Sequence, residues 1–393
     1  MTTESPIDHI RQWLPEFTAL RRDIHAHPET GFEEQRTSDL VAERLRGWGI
    51  EVHRGIGRTG LVGVLRNGNG RRIGLRADMD ALDMPEENGF AHASRMPGKM
   101  HGCGHDGHTT MLLAAARYLA ETKRFDGTVH FIFQPAEEGQ GGAQAMIADG
   151  LFERFPCDAV YGLHNRPGLP VGRYGLRAGA MMAGAAFFDI HIHGRGGHGA
   201  RPESTVDPVV CGAALVAALQ SVVARNVRPQ ETAVLSVTRF TAGAAYNVIP
   251  ERVVLGGTVR AFAVATMRLV EERMRALAQS IAAGFGATAE LDFREITVPV
   301  VNTEAEARLI GDAAAALVGE AHVERGWPAV MGSEDFSYML QECPGAYILV
   351  GNGTGEAGGC EVHNPRYDFN DAAIPYGGGV LAAAVERELP RLG

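Results

Sequence analysis

Cysteine is scarce and scattered: five residues, at positions 103, 157, 211, 343 and 360, an odd set without the regular spacing of a disulfide framework. A small stapled secreted scaffold is excluded, and thiols in a reducing, cytoplasmic compartment are the simpler expectation. Basic charge is short as well. Lys plus Arg number 37 against 47 Asp plus Glu, a formal net charge of −10, and the isoelectric point is near 5.8. The basic face of a nucleic-acid binder is therefore not expected. The opening Met1-Thr-Thr-Glu-Ser-Pro lacks the basic-then-apolar order of a secretory signal. No stretch is expected to reach the roughly 20 apolar residues that a membrane helix needs, and no membrane partner is expected. What is there, 45% hydrophobic and 21% charged residues in a chain of 393, is ordinary globular composition at a length that predicts two domains.

Helical spacing recurs over Ile7 to Ala26 and again around Glu34 to Trp48, ahead of Gly49. Short apolar runs then read as buried strands: Leu61 to Leu65, Arg72 to Leu75, Val129 to Phe133, Ala159 to Leu163 and Ala346 to Val350. Helical patterns lie between them, notably Thr109 to Glu121 and Gly142 to Asp149. Strand alternating with helix predicts an α/β fold, a mostly parallel sheet sandwiched by helices. The middle of the chain has another rhythm. Phe188, Ile190 and Ile192 alternate with Asp189, His191 and His193. A helix (207–225), two strands (232–240 and 252–262), a second helix (265–285) and a last strand (288–293) follow. That β-α-β-β-α-β order is ferredoxin-like. Residues 183–294 are thus expected to form an inserted α+β domain, with 1–182 and 295–393 forming one discontinuous main domain.

The densest chemistry is His101-Gly-Cys-Gly-His-Asp-Gly-His108: three imidazoles, a thiol and a carboxylate in eight residues. Imidazole and thiolate are transition-metal ligands, and glycines let the backbone turn tightly around a small object. Other polar groups sit where strands end, the place where open α/β sheets bind ligands. Val129 to Phe133 leads into Gln134-Pro-Ala-Glu-Glu-Gly139, Ala159 to Leu163 into His164-Asn165, and Arg72 to Leu75 into Arg76-Ala-Asp-Met-Asp80. Adjacent carboxylates suit two jobs, one binding metal while its neighbour takes a proton from water. Each group has a plain alternative. A lone His164 is more often a hydrogen-bonded core histidine, Cys103 a small buried hydrophobe, and His363 a surface loop residue. Joint occurrence carries the inference.

In order along nearly the whole chain, these motifs resemble the family of co-catalytic two-metal amidohydrolases that includes aminoacylases and carboxypeptidase-G-type enzymes. The resemblance is to the branch of hippurate hydrolases, N-acyl-amino-acid deacetylases and auxin-conjugate hydrolases. It adds Leu20-Arg-Arg-Asp-Ile-His-Ala-His-Pro-Glu29, Gly196-Gly-His-Gly-Ala-Arg-Pro-Glu203, Asn247-Val-Ile-Pro250, Gly332-Ser-Glu-Asp-Phe-Ser337 and Val362-His-Asn-Pro365 to the motifs above. It implies a catalytic domain like that of di-metal aminopeptidases, two divalent ions per subunit, and an inserted lid and dimerisation domain. Cys103 would bridge the ions, Glu138 and His363 would complete one site, and His105 and His164 the other. Glu137 would be the general base and Asp78 a group beside the metals. The bridging position is an aspartate in much of the wider family. The His-x-Asp motif of that family reads Arg76-Ala77-Asp78 here, with His105 standing in for the missing histidine. Thiolate favours Zn²⁺, whereas imidazole with carboxylate also accepts Mn²⁺, Co²⁺ or Ni²⁺.

The resemblance further implies that His198 reaches the partner subunit's active site in a homodimer and stabilises an oxyanion, while Asn247 and Arg260 bind a substrate carboxylate. Read alone, these three are a loop histidine, a turn asparagine and a strand-surface arginine. The implied reaction is hydrolysis of N-acyl or N-aroyl amino acids. A dipeptidase or carboxypeptidase on the same site, and a catalytically silent metal-binding protein, are the alternatives. Glu137 beside Glu138 weighs against silence, because a sensor needs the ligand but not the base. Domain closure about joins near Gly179 to Gly184 and Val298 to Val301 is expected. Met181, Met182, Phe336 and Met339 are candidates for apolar pocket surface or for simple packing.

Overall fold

The computed structural model describes residues 4–391; residues 1–3, part of the opening read for a signal pattern, lie outside them. The chain divides into two compact units. One comprises Met1–Met181, Val301–Pro328 and Asp335–Gly393, the other Met182–Val300 with Ala329–Glu334.

The first unit is built on an eight-stranded sheet. Its centre is parallel: Gly127–Gln134 pairs with Arg72–Asp78, which pairs with Ala159–Pro167, which pairs with Gly345–Gly353. The flanking strands Leu61–Asn67 and Tyr174–Gly175 join antiparallel. Central strands buried on both faces cannot alternate, which is why they read as continuous apolar runs. Ile73, Leu75, Val129, Phe131, Tyr161 and Ile348 pack with Met111, Leu112, Leu119, Val380 and Leu381 of the helices His105–Thr122 and Ile374–Glu388 in one core.

Several expected boundaries move, each for a local reason. The first helical stretch is two helices, Pro6–Arg11 and Leu14–Ala26. Pro15 stands in the first turn of the second; it has no N–H to donate and would clash with the carbonyl four residues back. The helix expected from Thr109 begins at His105. The strand expected to stop at Leu163 runs on to Pro167, so His164 and Asn165 lie within it rather than beyond it.

The second unit has strands Gly184–His193, Ala233–Ala242, Arg252–Ala261 and Thr288–Thr297 with helices Pro208–Asn226 and Val264–Gly284. All its strand pairs in the four-stranded sheet are antiparallel. Phe188, Ile190 and Ile192 are buried against Leu215, Leu219, Val270 and Met274 of the helices, whereas His193 on the alternate face is exposed. The helix Pro208–Asn226 corrects one expectation. By length and a mean hydropathy of 1.6 it matches a membrane span, and 33% of it is buried within the fold. Its alanines and valines gave no single dominant run, yet together they make an apolar helix.

Candidate metal centre

Five segments of the first unit bring donors together at the carboxyl end of the parallel strands. Cys103 lies in the loop before the helix His105–Thr122, and His105 opens that helix. Glu137 and Glu138 follow the strand Gly127–Gln134. His164 is within Ala159–Pro167, and His363 lies in the irregular stretch after Gly345–Gly353. Gly104, at φ 93°, permits the loop's close approach: a Cβ there would stand 2.4 Å from Asn165 Oδ1 and from the Tyr367 hydroxyl.

The donors form overlapping triads. The ligand atoms of Cys103, His105 and His164 lie within 4.8 Å of one another, and so do those of Cys103, Glu138 and His363. Cys103 belongs to both. Glu137 joins His105 and Glu138 in a further group within the same distance. Cys103 Sγ is 3.3 Å from His164 Nε2, and Glu138 Oε1 is 3.1 Å from His363 Nε2. That last approach lacks hydrogen-bond geometry: Glu138 Oε1 and His105 Nε2 are buried without a hydrogen-bond partner. Two orphaned polar atoms in one cluster are costly, and a cation answers both. A thiol, three imidazoles and a carboxylate suit a transition metal.

Hydrogen bonds fix which nitrogen each histidine presents. His164 Nδ1 is 2.7 Å from the Asn165 carbonyl, and His105 Nδ1 is 3.2 Å from Asp80 Oδ1. Each leaves Nε2 toward the centre, and such outer contacts set tautomer and ring orientation. Asp80 does double work, since its other oxygen accepts the Glu138 backbone N–H at 3.0 Å. His363 is held at φ 61°, and its N–H donates to the Gly102 carbonyl at 2.7 Å, tying this candidate donor to the Cys103 loop.

Asp78 sits behind this layer. His108 Nδ1 approaches it at 2.6 Å, Arg76 donates to it at 2.8 Å, and His105 Nε2 is 3.7 Å away. Burial opposes its charge, yet His105, His108 and Arg76 hold it well below the usual carboxylate range. Burial pushes the Cys103 thiol up and Glu138 adds to this, while His105 and His363 pull it down. Cys103, then Glu138, close beside it push His363 up to about 10, against the effect of burial. A metal ion would replace the proton that this cluster holds. Burial, then His108, keeps His164 neutral and able to bind metal. Glu137, half-buried, accepts the Asp335 N–H at 3.4 Å.

His198, Asn247 and Arg260 belong to the second unit. His198 pairs in register with Val248 on a two-stranded ribbon, and the Gly199 N–H bonds the Asn247 carbonyl at 2.8 Å. Arg260 lies on the strand Arg252–Ala261 and donates to Thr258 Oγ1 at 2.9 Å. Phe336 and Met339 are fully buried, and Met181 nearly so; they are packing.

Asp80, His108 and Arg76 went unassigned in the sequence. For Asp80 a signal existed: two residues from Asp78 in an extended stretch, it points the same way.

Among known proteins, the chain is 42% identical to hippurate hydrolase of Campylobacter jejuni over 91% of this chain and 93% of that one. It is 38% identical to IAA-amino acid hydrolase ILR1-like 4 of Arabidopsis thaliana, over 95% and 86%. The Bacillus subtilis YXEP protein, described as a dinuclear metal binding peptidase from the M20 family, superposes with a TM-score of 0.84 at 32% identity, covering 95% of this chain and 98% of that one. The family model of peptidase family M20/M25/M40 matches residues 74–387. That match takes in every donor of the centre, and the chain belongs to peptidase family M20/M25/M40.

Proposed function

We propose that this protein hydrolyses the amide bond of N-acyl or N-aroyl amino acids, releasing a carboxylic acid and a free amino acid, at a centre for two divalent ions. The observation that carries the reading is the shared thiol. Cys103 is common to the His105–His164 and Glu138–His363 groups, as a bridging ligand must be, and Glu137 adjoins both without being needed for either. Relatives acting on hippurate and on IAA-amino acids, by their names, support this substrate class.

Cys103, His105 and His164 would hold one ion, and Cys103, Glu138 and His363 the other. Bound ions lower the pKa of water and polarise the scissile carbonyl. Glu137 then takes a proton from the attacking water on its carboxylate and passes it to the departing amine. Zn²⁺ or Mn²⁺ fits the donor set best, with Co²⁺ or Ni²⁺ as substitutes. From the inserted domain, His198 would serve the oxyanion, and Asn247 and Arg260 the substrate carboxylate.

A homodimer through the inserted domain belongs to this reading. Its support is the helix Pro208–Asn226, apolar and only 33% buried, with Val210 and Phe240 exposed; a second copy would cover them. A cytoplasmic location is supported by five unpaired cysteines.

The test is turnover of hippurate, N-acetyl amino acids and dipeptides, with Mn²⁺, Zn²⁺ and Co²⁺ supplied separately. Release of benzoate from hippurate is expected, and failure across the panel with both ions bound refutes the reading. Mixing inactive H198A and E137Q subunits should restore activity if His198 serves the partner, and no recovery from an exchanging mixture refutes that arrangement.

A further inference from the structure

Ala136, immediately before Glu137 and Glu138, is held at φ 54°. An L-residue other than glycine is disfavoured there, because Cβ crowds the following carbonyl. Such a conformation persists only where the surroundings over-determine it. The surroundings here are specific. Ala136 is fully buried, and its N–H donates to Glu34 Oε1 at 2.8 Å. Thr59 Oγ1 donates to the other Glu34 oxygen at 2.5 Å, so the carboxylate is fixed at both ends. The Ala136 carbonyl accepts the Gly142 N–H at 3.0 Å. Gly31 closes over the same residue: a Cβ added there would stand 3.1 Å from Ala136 Cβ.

Glu34 is itself unusual. It is a fully buried carboxylate, 102 residues before the alanine it binds. Burial pushes it up to about 7, Thr59 and Ala136 pull it down, and Asp80 is the charged neighbour that raises it. A buried carboxyl group is costly unless it is hydrogen-bonded. Helix capping does not account for it, because its side chain makes no cap bond to the helix Gln35–Gly47.

We propose that Glu34 is a positioning residue for amide hydrolysis: its carboxylate holds Ala136 in the left-handed conformation and so sets the directions of Glu137 and Glu138. The inference rests on the roles given to those two glutamates above. Without the clamp, Ala136 relaxes toward a right-handed or extended backbone, and a change at one residue swings both carboxylates that follow.

The experiment compares E34A, E34Q, T59V and the double variant E34A/A136G with the parent enzyme. Three readouts are taken: kcat and KM on hippurate, calorimetric titration of the metal-free protein with Mn²⁺, and the thermal midpoint. E34A should lose about 10²-fold in kcat with KM little changed, as a misplaced catalytic group does. Its Mn²⁺ affinity should fall about 10-fold at one of two sites. E34Q keeps an acceptor for Ala136 and should retain most of both. T59V should move both readouts in the direction of E34A, by less. Adding A136G to E34A should restore kcat and Mn²⁺ affinity, because glycine adopts the left-handed region freely. The proposal is overturned if E34A lowers only the thermal midpoint while folded enzyme keeps its kcat and metal affinity, or if A136G restores neither. Should E34A not fold, T59V and E34Q decide by the same two readouts. Should the parent hydrolyse none of the panel, the functional reading fails, while the Mn²⁺ series still decides whether Glu34 positions Glu138.

Discussion

His25 Nδ1 lies 2.8 Å from Asp106 Oδ2, and Asp106 is the residue after His105. Both are fully buried, and Arg21 reaches the same oxygen at 3.3 Å. Glu86 meets His25 Nε2 at 3.2 Å. An early helix thus grips the loop-to-helix junction that carries two metal donors.

Burial opposes charge on His25, but Asp106, then Glu86, outweigh it and push the imidazole up to about 9. The folded-state value lies above the unfolded value of 6.5, so the charged pair stabilises fully below pH 6.5 and its contribution is lost as pH rises through about 9. The denaturation midpoint of the parent should therefore fall across that interval, with a shallower fall in H25Q. Parallel curves for the two proteins would rule out His25 as the titrating group.

Replacing Glu137 by Gln removes the proton acceptor and keeps the shape. Two ions should remain bound, while kcat falls by about 10²–10⁴-fold. Near-normal turnover in E137Q, with metal content verified by elemental analysis, removes Glu137 from the role of base.

Cys103 should be replaceable by another anionic bridge but not by a neutral one. C103D is expected to bind two ions with preference moved from Zn²⁺ toward Mn²⁺, because carboxylate is the harder ligand. C103A should hold at most one ion tightly. Retention of two tightly bound ions by C103A contradicts the bridge.

Asp80 links His105 Nδ1 to the Glu138 N–H, so D80A loosens a proposed donor on each side. Metal affinity should fall about 10–100-fold with little loss of thermal stability in the metal-free protein. Equal affinity in D80A and parent would dismiss the link.

Arg76 is fully buried, donating to Asp78 at 2.8 Å, Gln134 at 2.8 Å and Asp335 at 3.1 Å. R76M takes the guanidinium away from two buried carboxylates, leaving Asp78 to His108 and Asp335 to Gln134 and the Ala143 N–H, and should cost about 3–5 kcal/mol. Chemical denaturation measures this directly, and a loss under about 1 kcal/mol would mean that the carboxylates find other partners.

The candidate donors could be picked out because they sit in short motifs whose joint chemistry has no packing explanation: Cys103 and His105 between glycines, Glu137 beside Glu138, His164 after an apolar run. Two histidines three residues apart, His105 and His108, divided their labour unannounced. Both open one helix, but His108 turns to Asp78 and Asn165, and only neighbours distant in sequence make that distinction. Pro208–Asn226 went the other way. The helix itself was expected, at 207–225, but its polar residues are so few that its 19 residues reach a mean hydropathy of 1.6.

Local sequence determined which residues could bind metal and which stretches alternate as strand and helix, because ligand chemistry and side-chain periodicity are properties of a few neighbouring residues. Tertiary structure alone decided the supports: Glu34 on Ala136 across 102 residues, His25 on Asp106 across 81, Arg76 on Asp335 across 259. A buried carboxylate or guanidinium gains its role from whichever group the fold sets opposite it, and no spacing along the chain encodes that partner.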